Sequence, residues 1–281
     1  MNILTFDIEE WYHLDTCSTE KDWMGYQPRI DLYLPRVLDL LDEKSIKSTF
    51  FCLGWIARQF PDVLKRIQAR GHEIGCHTDK HLFVREMGSG KFRDDLRLAL
   101  ASIEDVTGEK VRAFRAPAFS ISSDSTWAFG ILAENGIEID CSIFPASRDF
   151  GGFPAFGCSR PCIIEYKGIR MKEFPINTAK IAGHEMVYCG GGYFRLFPYR
   201  WIKYLLHRAD YAISYLHMKD FDNGQPRFSH LSLMRKFKSY YGLTGSWNKF
   251  VRMLNDFQWV GLREADAATD WSHAPVIRFD G

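Results

Sequence analysis

The chain has 281 residues and a mass of 32.6 kDa, and 46% of its residues are hydrophobic, 15% aromatic and 25% charged. This balance is typical of a folded globular protein and excludes intrinsic disorder, collagen and coiled coil. The 36 basic and 35 acidic residues leave a net charge of +1, which argues against a dedicated nucleic-acid-binding protein. No apolar run approaches the ~18 residues of a membrane-spanning helix, so none is expected.

The cysteines and the first ten residues lead to an expectation about location. Seven cysteines are scattered through the chain, mostly in apolar runs, which favours a reducing compartment. Cys158 and Cys162 are spaced for a disulfide or a zinc site, but no second Cys or His pair stands nearby, and we interpret them as structural. Acidic residues at positions 7, 9 and 10 stand where a signal peptide needs basic and then apolar residues. We therefore expect a cytoplasmic protein.

β-rich runs alternate with amphipathic helical stretches through the first half of the chain. Strands are predicted at residues 3–6, 48–53, 72–76, 111–114 and 137–139. Helices are predicted between them at residues 31–44, 55–70, 91–106 and 122–136. In the first of these helices, Leu34, Val37 and Leu38 begin the i, i+3, i+4 spacing of one buried face. The pattern resumes later with helices at 198–209 and 246–257 and a strand at 212–216.

This alternation predicts an α/β fold. Strands that alternate with helices become parallel neighbours joined by right-handed crossovers, in an open doubly wound sheet or a closed barrel. From about residue 150 to 195, glycines and prolines interrupt the pattern. We interpret that segment as an insertion of hairpins and loops, including a turn at Gly190–Gly192, within a single domain over residues 1–281. In both architectures the chemistry takes place where strands end.

The first and third predicted strands end in residues that bind metals. Asp7 and Glu9 are two residues apart, so an extended chain places both carboxylates on one face. His77 and His81 are spaced i, i+4, so one helical turn or tight loop would aim both imidazoles at one point. Two histidines and one carboxylate form the ligand set of a catalytic zinc or similar ion, with a position left for water.

Three further strand ends carry ionisable residues. Arg115 ends the fourth strand, where a guanidinium can form a bidentate pair with a carboxylate. Asp140 ends the fifth strand, and His217 follows the strand at 212–216. Each residue alone also fits a structural role, such as a surface arginine at a turn. Together, five strand ends with residue types that hydrolysis uses indicate an enzyme.

The order of these motifs resembles the polysaccharide deacetylase family, the NodB-type carbohydrate esterases, across nearly the whole chain. Four stretches carry the resemblance: Thr5-Phe-Asp-Ile-Glu9, His77-Thr-Asp-Lys-His81, Phe114-Arg-Ala-Pro117 and Leu216-His217. Other stretches are similar to the branch found in bacterial exopolysaccharide gene clusters: Asp140-Cys-Ser-Ile-Phe-Pro145, Glu173-Phe-Pro175, Gly191-Gly-Tyr-Phe-Arg195 and Lys238-Ser-Tyr-Tyr-Gly242.

The resemblance implies a distorted (β/α) barrel of about seven strands and a role for each catalytic residue. By similarity, Asp7 is the general base and Arg115 orients it. His217 is the general acid, and Asp140 orients it, although the Trp that usually stands beside this Asp is absent here.

The resemblance also implies a divalent metal, most simply Zn²⁺, with Co²⁺ or another divalent ion as alternatives. Its ligands would be Glu9, His77 and His81. Most of the family has Asp-Asp where this chain has Asp7-Ile-Glu9, so Glu10 stays open as an alternative to Glu9.

An N-acetylated glycan is the substrate that the resemblance implies. Aromatic residues beside the motifs could stack on a sugar ring or could simply pack in the core; they are Trp11, Tyr12, Tyr193 and Phe194. A backbone N–H just after Pro117, of Ala118 or Phe119, is a candidate oxyanion donor by similarity.

The predicted function is metal-dependent removal of N-acetyl groups from the amino sugars of a bacterial polysaccharide or its precursor. Two alternatives stay open. One is hydrolysis of a C–N bond in a small cyclic amide, and the other is a glycan-binding protein without catalysis.

Overall fold

The computed structural model describes residues 1–14, 18–147, 151–181 and 183–279. The strands in these residues are β1 (Asn2–Ile3), β2 (Thr5–Ile8), β3 (Thr49–Cys52), β4 (Glu73–Cys76), β5 (Ala113–Phe114), β6 (Ile139–Asp140), β7 (Cys162–Tyr166), β8 (Ile169–Glu173), β9 (Ala179–Ile181), β10 (His184–Met186), β11 (Ala212–Ile213), β12 (Leu216–His217) and β13 (Val276–Phe279). The helices are α1 (Glu20–Trp23), α2 (Leu34–Glu43), α3 (Gly54–Gln59), α4 (Pro61–Ala69), α5 (Val84–Thr107), α6 (Trp127–Glu134), α7 (Gly191–Leu196), α8 (Tyr199–Arg208), α9 (Leu233–Tyr240), α10 (Leu243–Asp256) and α11 (Leu262–Ala268).

The main sheet runs in the order β12-β2-β3-β4-β5-β6-β8-β7-β13. Its neighbouring strands are parallel, except that β7 and β8 form an antiparallel hairpin. β1 and β11 form a parallel pair of their own and lead directly along the chain into β2 and β12. The carboxyl ends of the parallel strands therefore meet on one side of the fold.

These strands form a distorted barrel. If β1 with β2 and β11 with β12 are each counted as one interrupted strand, the barrel has seven strands: β1–β2, β3, β4, β5, β6, β8 and β11–β12. Strands β7 and β13 lie outside it. Side-chain hydrogen bonds, and not a backbone ladder, join the segment after β8 to the region of β11. The Ile213 N–H donates to the Asn177 side chain at 2.9 Å, and the Tyr211 hydroxyl donates to the Pro175 carbonyl at 2.7 Å. The predicted α/β barrel of about seven strands is confirmed.

Alternation along the strands divides the core into two layers. Phe6, Ile8 and Phe50 pack against the helices, whereas Phe51 belongs to a second cluster inside the barrel. This alternation turns Asp7 inward at the carboxyl end of β2. The interior is tight, because a Cβ at Gly75 would lie 2.6 Å from the Phe51 ring.

The helices differ from their predicted bounds for local reasons. The helix predicted at 55–70 is two helices, because Pro61 lacks the N–H that a continuous helix needs and instead begins α4. The helix predicted at 91–106 begins earlier, at Val84, since Gly88 (φ 73°) joins a preceding turn to it through a kink. The helix predicted from Ser122 begins only at Trp127.

The segment from 150 to 195 contains the expected hairpins, β7–β8 and β9–β10, but it is more than an insertion. β8 is a strand of the barrel, and Gly191 begins α7 where we expected a turn. Residues 150 and 182 lie outside the described part. Helices α9 and α11 and strand β13 were not predicted from the sequence.

No helix in the described part of the chain combines the length and apolar composition that crossing a bilayer requires. All cysteines except Cys17, which lies outside the described residues, are buried free thiols, Cys158 and Cys162 included.

Candidate functional site

Glu9, His77 and His81 come together at the carboxyl ends of the strands. One potential ligand atom from each lies within 4.8 Å of the other two. Nε2 of His81 is 2.6 Å from Oε2 of Glu9, and both residues are shielded from solvent. Two imidazoles and one carboxylate are a donor set that suits Zn²⁺ and similar divalent ions, so the residues present fit a metal.

The loop from His77 to His81 is a tight turn and not a helix. Thr78 and His81 have positive φ angles of 68° and 59°, which fold the chain back on itself. Asp79 anchors the loop, because its buried carboxylate accepts two hydrogen bonds from Arg58, at 2.6 and 3.0 Å. This anchor fixes the spacing of the two imidazoles.

His77 is held as a neutral ligand. Its Nδ1 lies 2.7 Å from the Arg115 carbonyl and donates to it, which leaves the lone pair on Nε2. Burial lowers the pKa of His77 to about 4, so the ring is uncharged at neutral pH.

The geometry favours Glu9 over Glu10 as the carboxylate ligand. Glu10 points elsewhere, because one of its oxygens accepts the backbone N–H groups of Arg29 and Ile30 at 2.7 and 2.9 Å. Burial disfavours the charged form of Glu9, but His81 and Lys219 outweigh it and hold the pKa of Glu9 well below its usual value.

Lys219 also lies in the site, although the sequence did not predict it. Its ammonium group forms an ion pair with Oε1 of Glu9, on the opposite oxygen from His81. The lysine stands two residues after His217, just past the strand end, and only its tertiary position brings it to Glu9.

Asp7 and Arg115 form a buried ion pair, as the sequence led us to expect. NH1 of Arg115 donates to Oδ1 of Asp7 and to Oγ1 of Thr5, each at 2.8 Å. Burial raises the pKa of Asp7, but Arg115, His77 and His217 together outweigh burial and lower it. Asp7 is therefore an ionised carboxylate with a fixed orientation.

His217 faces both carboxylates of the first motif. Its Nε2 is 3.3 Å from Oε1 of Glu9 and 3.6 Å from Oδ2 of Asp7. Its Nδ1 is 2.8 Å from Oδ2 of Asp220. Burial lowers the pKa of His217, but the charge and hydrogen bond of Asp220 outweigh burial and raise it.

Arg195 completes this chain of contacts. Its Nε lies 2.9 Å from Oδ1 of Asp220, and both side chains are buried. Burial raises the pKa of Asp220, but His217 and Arg195 hold it lower, at about 2. The guanidinium also donates to the carbonyls of Lys238, Ser239 and Tyr241, which joins two of the similar stretches seen in the sequence.

The expectation that Asp140 orients His217 is wrong in this structure, because Asp220 occupies that position. Asp140 instead pairs with Glu173, its neighbour in the β6–β8 register. Burial, and then the charge of Asp140, raise the pKa of Glu173 well above its usual value, which favours the protonated form of Glu173. Asp140 also accepts a hydrogen bond from Ser142 at 2.5 Å, and Ser142 accepts one from the Ala116 N–H at 2.8 Å.

Ser142 thus supports the backbone turn that contains the candidate oxyanion donors. Ala118 and Phe119 both adopt left-handed backbone angles, with φ of 52° and 55°. The Phe119 N–H is engaged with the Ala116 carbonyl at 3.0 Å, so Ala118 is the better candidate donor. Gly151 packs against this turn, and a Cβ there would overlap the carbonyl oxygens of Ala118 and Phe119.

Three of the four aromatic residues proposed for sugar stacking are buried. Trp11, Tyr12 and Phe194 are 6%, 1% and 0% exposed, so their rings pack in the core and offer no face to a sugar. Trp11 donates through its indole N–H to the Gln27 carbonyl. Tyr193 is half-buried and stacks on Phe197.

Comparisons with known proteins agree with the motifs. Residues 4–136 match the family model "Polysaccharide deacetylase", and residues 141–267 match a "Domain of unknown function (DUF3473)". A peptidoglycan-N-acetylglucosamine deacetylase of Bacillus cereus is 26% identical over 107 residues, 38% of this chain and 39% of the relative. A chitooligosaccharide deacetylase of Azorhizobium caulinodans is 33% identical over 84 residues, 30% of this chain and 40% of the relative. The match thus spans about two fifths of each of these relatives.

A solved structure from Mycobacterium smegmatis, provisionally named a polysaccharide deacetylase, has the same fold. It superposes with a TM-score of 0.70 at 17% identity, over 100% of this chain and 93% of the other. The resemblance found in the motifs is confirmed: residues 4–136 of this chain match the polysaccharide deacetylase family model.

Proposed function

We propose that the protein is a metal-dependent hydrolase that removes N-acetyl groups from amino sugars of a bacterial polysaccharide or its precursor. One observation carries the proposal. Potential ligand atoms of Glu9, His77 and His81 lie within 4.8 Å of one another. Nε2 of His217 lies 3.3 Å from Oε1 of Glu9 and 3.6 Å from Oδ2 of the ionised Asp7.

Glu9, His77 and His81 would hold the metal. A divalent ion bound there lowers the pKa of a water ligand and polarises an amide carbonyl. The Nε2 lone pair of His77 is available to bind the metal because Nδ1 donates to the Arg115 carbonyl. Lys219, on the other oxygen of Glu9, fixes the orientation of that carboxylate.

Asp7 takes the proton of the attacking water. Its Oδ1 is bound by Arg115, which leaves Oδ2 toward His217 and the site. The ion pair keeps Asp7 ionised at neutral pH, as a general base requires.

His217 donates a proton to the departing amine. An amine is a poor leaving group until it is protonated, so this step needs a cationic acid. Asp220 holds the proton on Nδ1 and favours the imidazolium, and Nε2 is the nitrogen that points into the site. The Ala118 N–H, in the strained turn behind Pro117, is the proposed backbone donor to the oxyanion.

Acetate release tests the proposal. Protein loaded with Zn²⁺ or Co²⁺, and a chelated control, would be incubated with N-acetylhexosamine oligomers and polymers. We expect acetate only from metal-loaded protein, and we expect His77→Ala and His81→Ala to lose metal and activity together.

His217→Ala is the matched variant. It should keep its metal, measured by elemental analysis, and lose turnover, because His217 is assigned to proton transfer. Full activity in either metal-ligand variant, or in chelated protein, would contradict the assignment.

A glycan-binding protein without catalysis is the second candidate, and the contact between Lys219 and Glu9 favours it. A lysine ammonium on a ligand carboxylate competes with a cation for the same charge. Metal titration distinguishes the two: a replete protein that binds glycan, folds and releases no acetate supports this second candidate. The expected cytoplasmic location and the single catalytic domain stay predictions.

A further inference from the structure

His13 is a buried histidine that the proposed mechanism leaves without a role. It lies in a short 3₁₀ turn, Trp11–Leu14, just after β2 and its ligand residue Glu9, and it is 2% exposed. Its backbone N–H donates to the Glu10 carbonyl at 3.1 Å, and the Glu10 N–H donates to its Nδ1 at 3.0 Å. These two bonds hold the ring against the backbone of the first motif.

The bond at Nδ1 determines which nitrogen of the ring carries the proton. A ring nitrogen that accepts a hydrogen bond carries no hydrogen, so the imidazole of His13 is neutral and its N–H is at Nε2. His77 has the opposite tautomer, because its Nδ1 donates to a carbonyl and its Nε2 keeps a lone pair. His77 is therefore suited to bind a metal through Nε2, whereas His13 is suited to donate a hydrogen bond from the same atom.

The Nε2–H group of His13 is a buried donor without an acceptor. Within the described residues, this nitrogen makes no hydrogen bond. The rings of Tyr12, Trp23 and Trp55 pack nearly perpendicular to the imidazole, with centroids 4.9, 4.5 and 5.4 Å away, and none of them accepts from Nε2. A buried donor left unpaired costs about 1–3 kcal/mol, so an acceptor is expected in the functional state of the protein.

The remaining neighbour of the ring is the candidate metal site. The rings of His13 and His81 are nearly parallel, with 16° between their planes and 6.3 Å between their centroids. Burial lowers the pKa of His13 well below its ordinary value, and the charges that act on it next most strongly are those of His81 and Glu9. The unpaired donor thus stands beside two of the three potential metal ligands.

Glu9 has an oxygen that needs a donor once a metal is bound. Lys219 pairs with Oε1, whereas Oε2 lies 2.6 Å from Nε2 of His81 and has no other hydrogen-bond partner in the described part of the chain. A metal bound to Nε2 of His81 takes the lone pair of that nitrogen, so His81 then cannot donate to Oε2. The neighbouring N–H of His13 can take over that role.

We propose that His13 positions Glu9 in the metal-bound protein by donating a hydrogen bond from Nε2 to Oε2. A carboxylate oxygen has two lone pairs, so Oε2 can bind the ion and accept the N–H together. Lys219 on Oε1 and His13 on Oε2 then orient the carboxylate from both sides, and hydrogen bonds to a ligand of this kind strengthen metal binding. The inference rests on the metal site of the proposed function.

Direct ligation of the metal by His13 is a different role, and the hydrogen bonds disfavour it. Nε2 could bind an ion only if the proton moved to Nδ1. That move would break the bond from the Glu10 N–H and leave this buried group without an acceptor. His13 therefore acts on the metal through Glu9.

Zn²⁺ titration of the full chain against a chromophoric chelator tests the proposal. The two variants are His13→Gln, which keeps an amide N–H near the place of Nε2, and His13→Met, which has a similar length and no donor. Both lose the acceptor at Nδ1, so a loss that comes from this atom is common to the two. We expect His13→Met to bind Zn²⁺ about 10- to 100-fold more weakly than the parent, and His13→Gln to regain most of that affinity.

His72 supplies the matched control, because its ring is held in the same way at the opposite end of the barrel. It is buried, its Nδ1 accepts the Ser48 N–H at 3.3 Å, and its Nε2 makes no hydrogen bond to the residues described. It precedes β4, whereas the potential ligands follow the strands. His72→Met and His72→Gln should bind Zn²⁺ like the parent, and circular dichroism should show every variant folded.

The possible results separate this inference from the proposed function. Equal affinity in the parent and both His13 variants would overturn the role of His13 and leave the metal site standing. Equal weakening in both variants would also overturn it, because the loss would follow the ring and not the N–H. A folded parent that binds no Zn²⁺ would overturn the inference together with the metal site. Zn²⁺ affinity is measured without substrate, so a failure to release acetate does not affect the outcome.

Discussion

The raised pKa of Glu173, which is buried beside Asp140, leads to a prediction about stability. The perturbation is Glu173→Gln. The glutamine keeps an oxygen for the Ile143 N–H, which now donates to Glu173 at 3.2 Å, and its amide group can donate to Asp140 in place of a protonated Glu173 carboxyl. The variant therefore preserves the hydrogen bonds and removes only the titration.

The size of the effect follows from proton linkage. In the unfolded chain Glu173 ionises near its ordinary pKa of 4.5, whereas in the folded protein burial and Asp140 raise its pKa well above that value. Above pH 4.5 the folded state thus binds a proton that the unfolded state has released, so the stability of the parent falls as pH rises. The slope is about 1.4 kcal/mol per pH unit while the difference lasts. Glu173→Gln lacks this slope, so its advantage over the parent grows by up to roughly 2.7 kcal/mol between about pH 5 and 7.

Urea unfolding at half-unit steps from pH 5 to 8.5 measures the difference. The control is Glu165→Gln on the adjacent strand β7, a partly exposed residue paired with Arg278 at the surface. Its unfolding free energy should run parallel to that of the parent. Parallel curves for the parent and Glu173→Gln would refute the raised pKa of Glu173.

Three further predictions concern the site. Asp220→Asn should lower kcat about 10²-fold or more without loss of metal, whereas Asp140→Asn should keep most of its activity; the reverse order in steady-state acetate assays would restore Asp140 to the role expected from the sequence. Gly151→Ala should lower kcat/KM by about 10²-fold through displacement of the oxyanion turn, with metal content unchanged; an unaffected rate would remove that turn from the mechanism. Arg58→Met should lower the free energy of unfolding in urea by about 2 kcal/mol and weaken metal retention, because it leaves the buried Asp79 unpaired. This loss is smaller than that for fully buried pairs because Arg58 is partly exposed. An unchanged free energy of unfolding would show that the loop has another anchor.

The sequence revealed much of the site because strand ends in a barrel converge. Glu9, His77 and His81 follow short apolar strands, and parallel pairing brings their ligand atoms together as expected. The pairing of Asp7 with Arg115 was implied by the resemblance, and it gives a buried carboxylate the cation that it needs.

The partner of His217 was less accessible from the sequence. A local signal existed, because an acid three residues after a strand-end histidine can turn back to its ring, as Asp220 does. The contact between Asp220 and Arg195 had no such signal in the sequence, because the two residues meet only through the packing of α7 against the turn after β12. The same limit applied to Trp11 and Tyr12, whose burial depends on helices and loops distant in sequence.

The proposed catalytic residues are divided between the two segments of the chain that match family models. Residues 4–136 contain the proposed base and metal ligands, Asp7, Glu9, His77 and His81. The proposed acid His217 and the pair Arg195–Asp220 that tethers it all come from residues 141–267. Both segments contribute strands to one sheet, in which β12 of the second pairs with β2 of the first and places His217 beside Asp7 in the register. A deacetylation that needs both a base and an acid therefore cannot be completed by the first segment alone. On this reasoning, we propose that the second segment supplies the general acid to one site that it shares with the first.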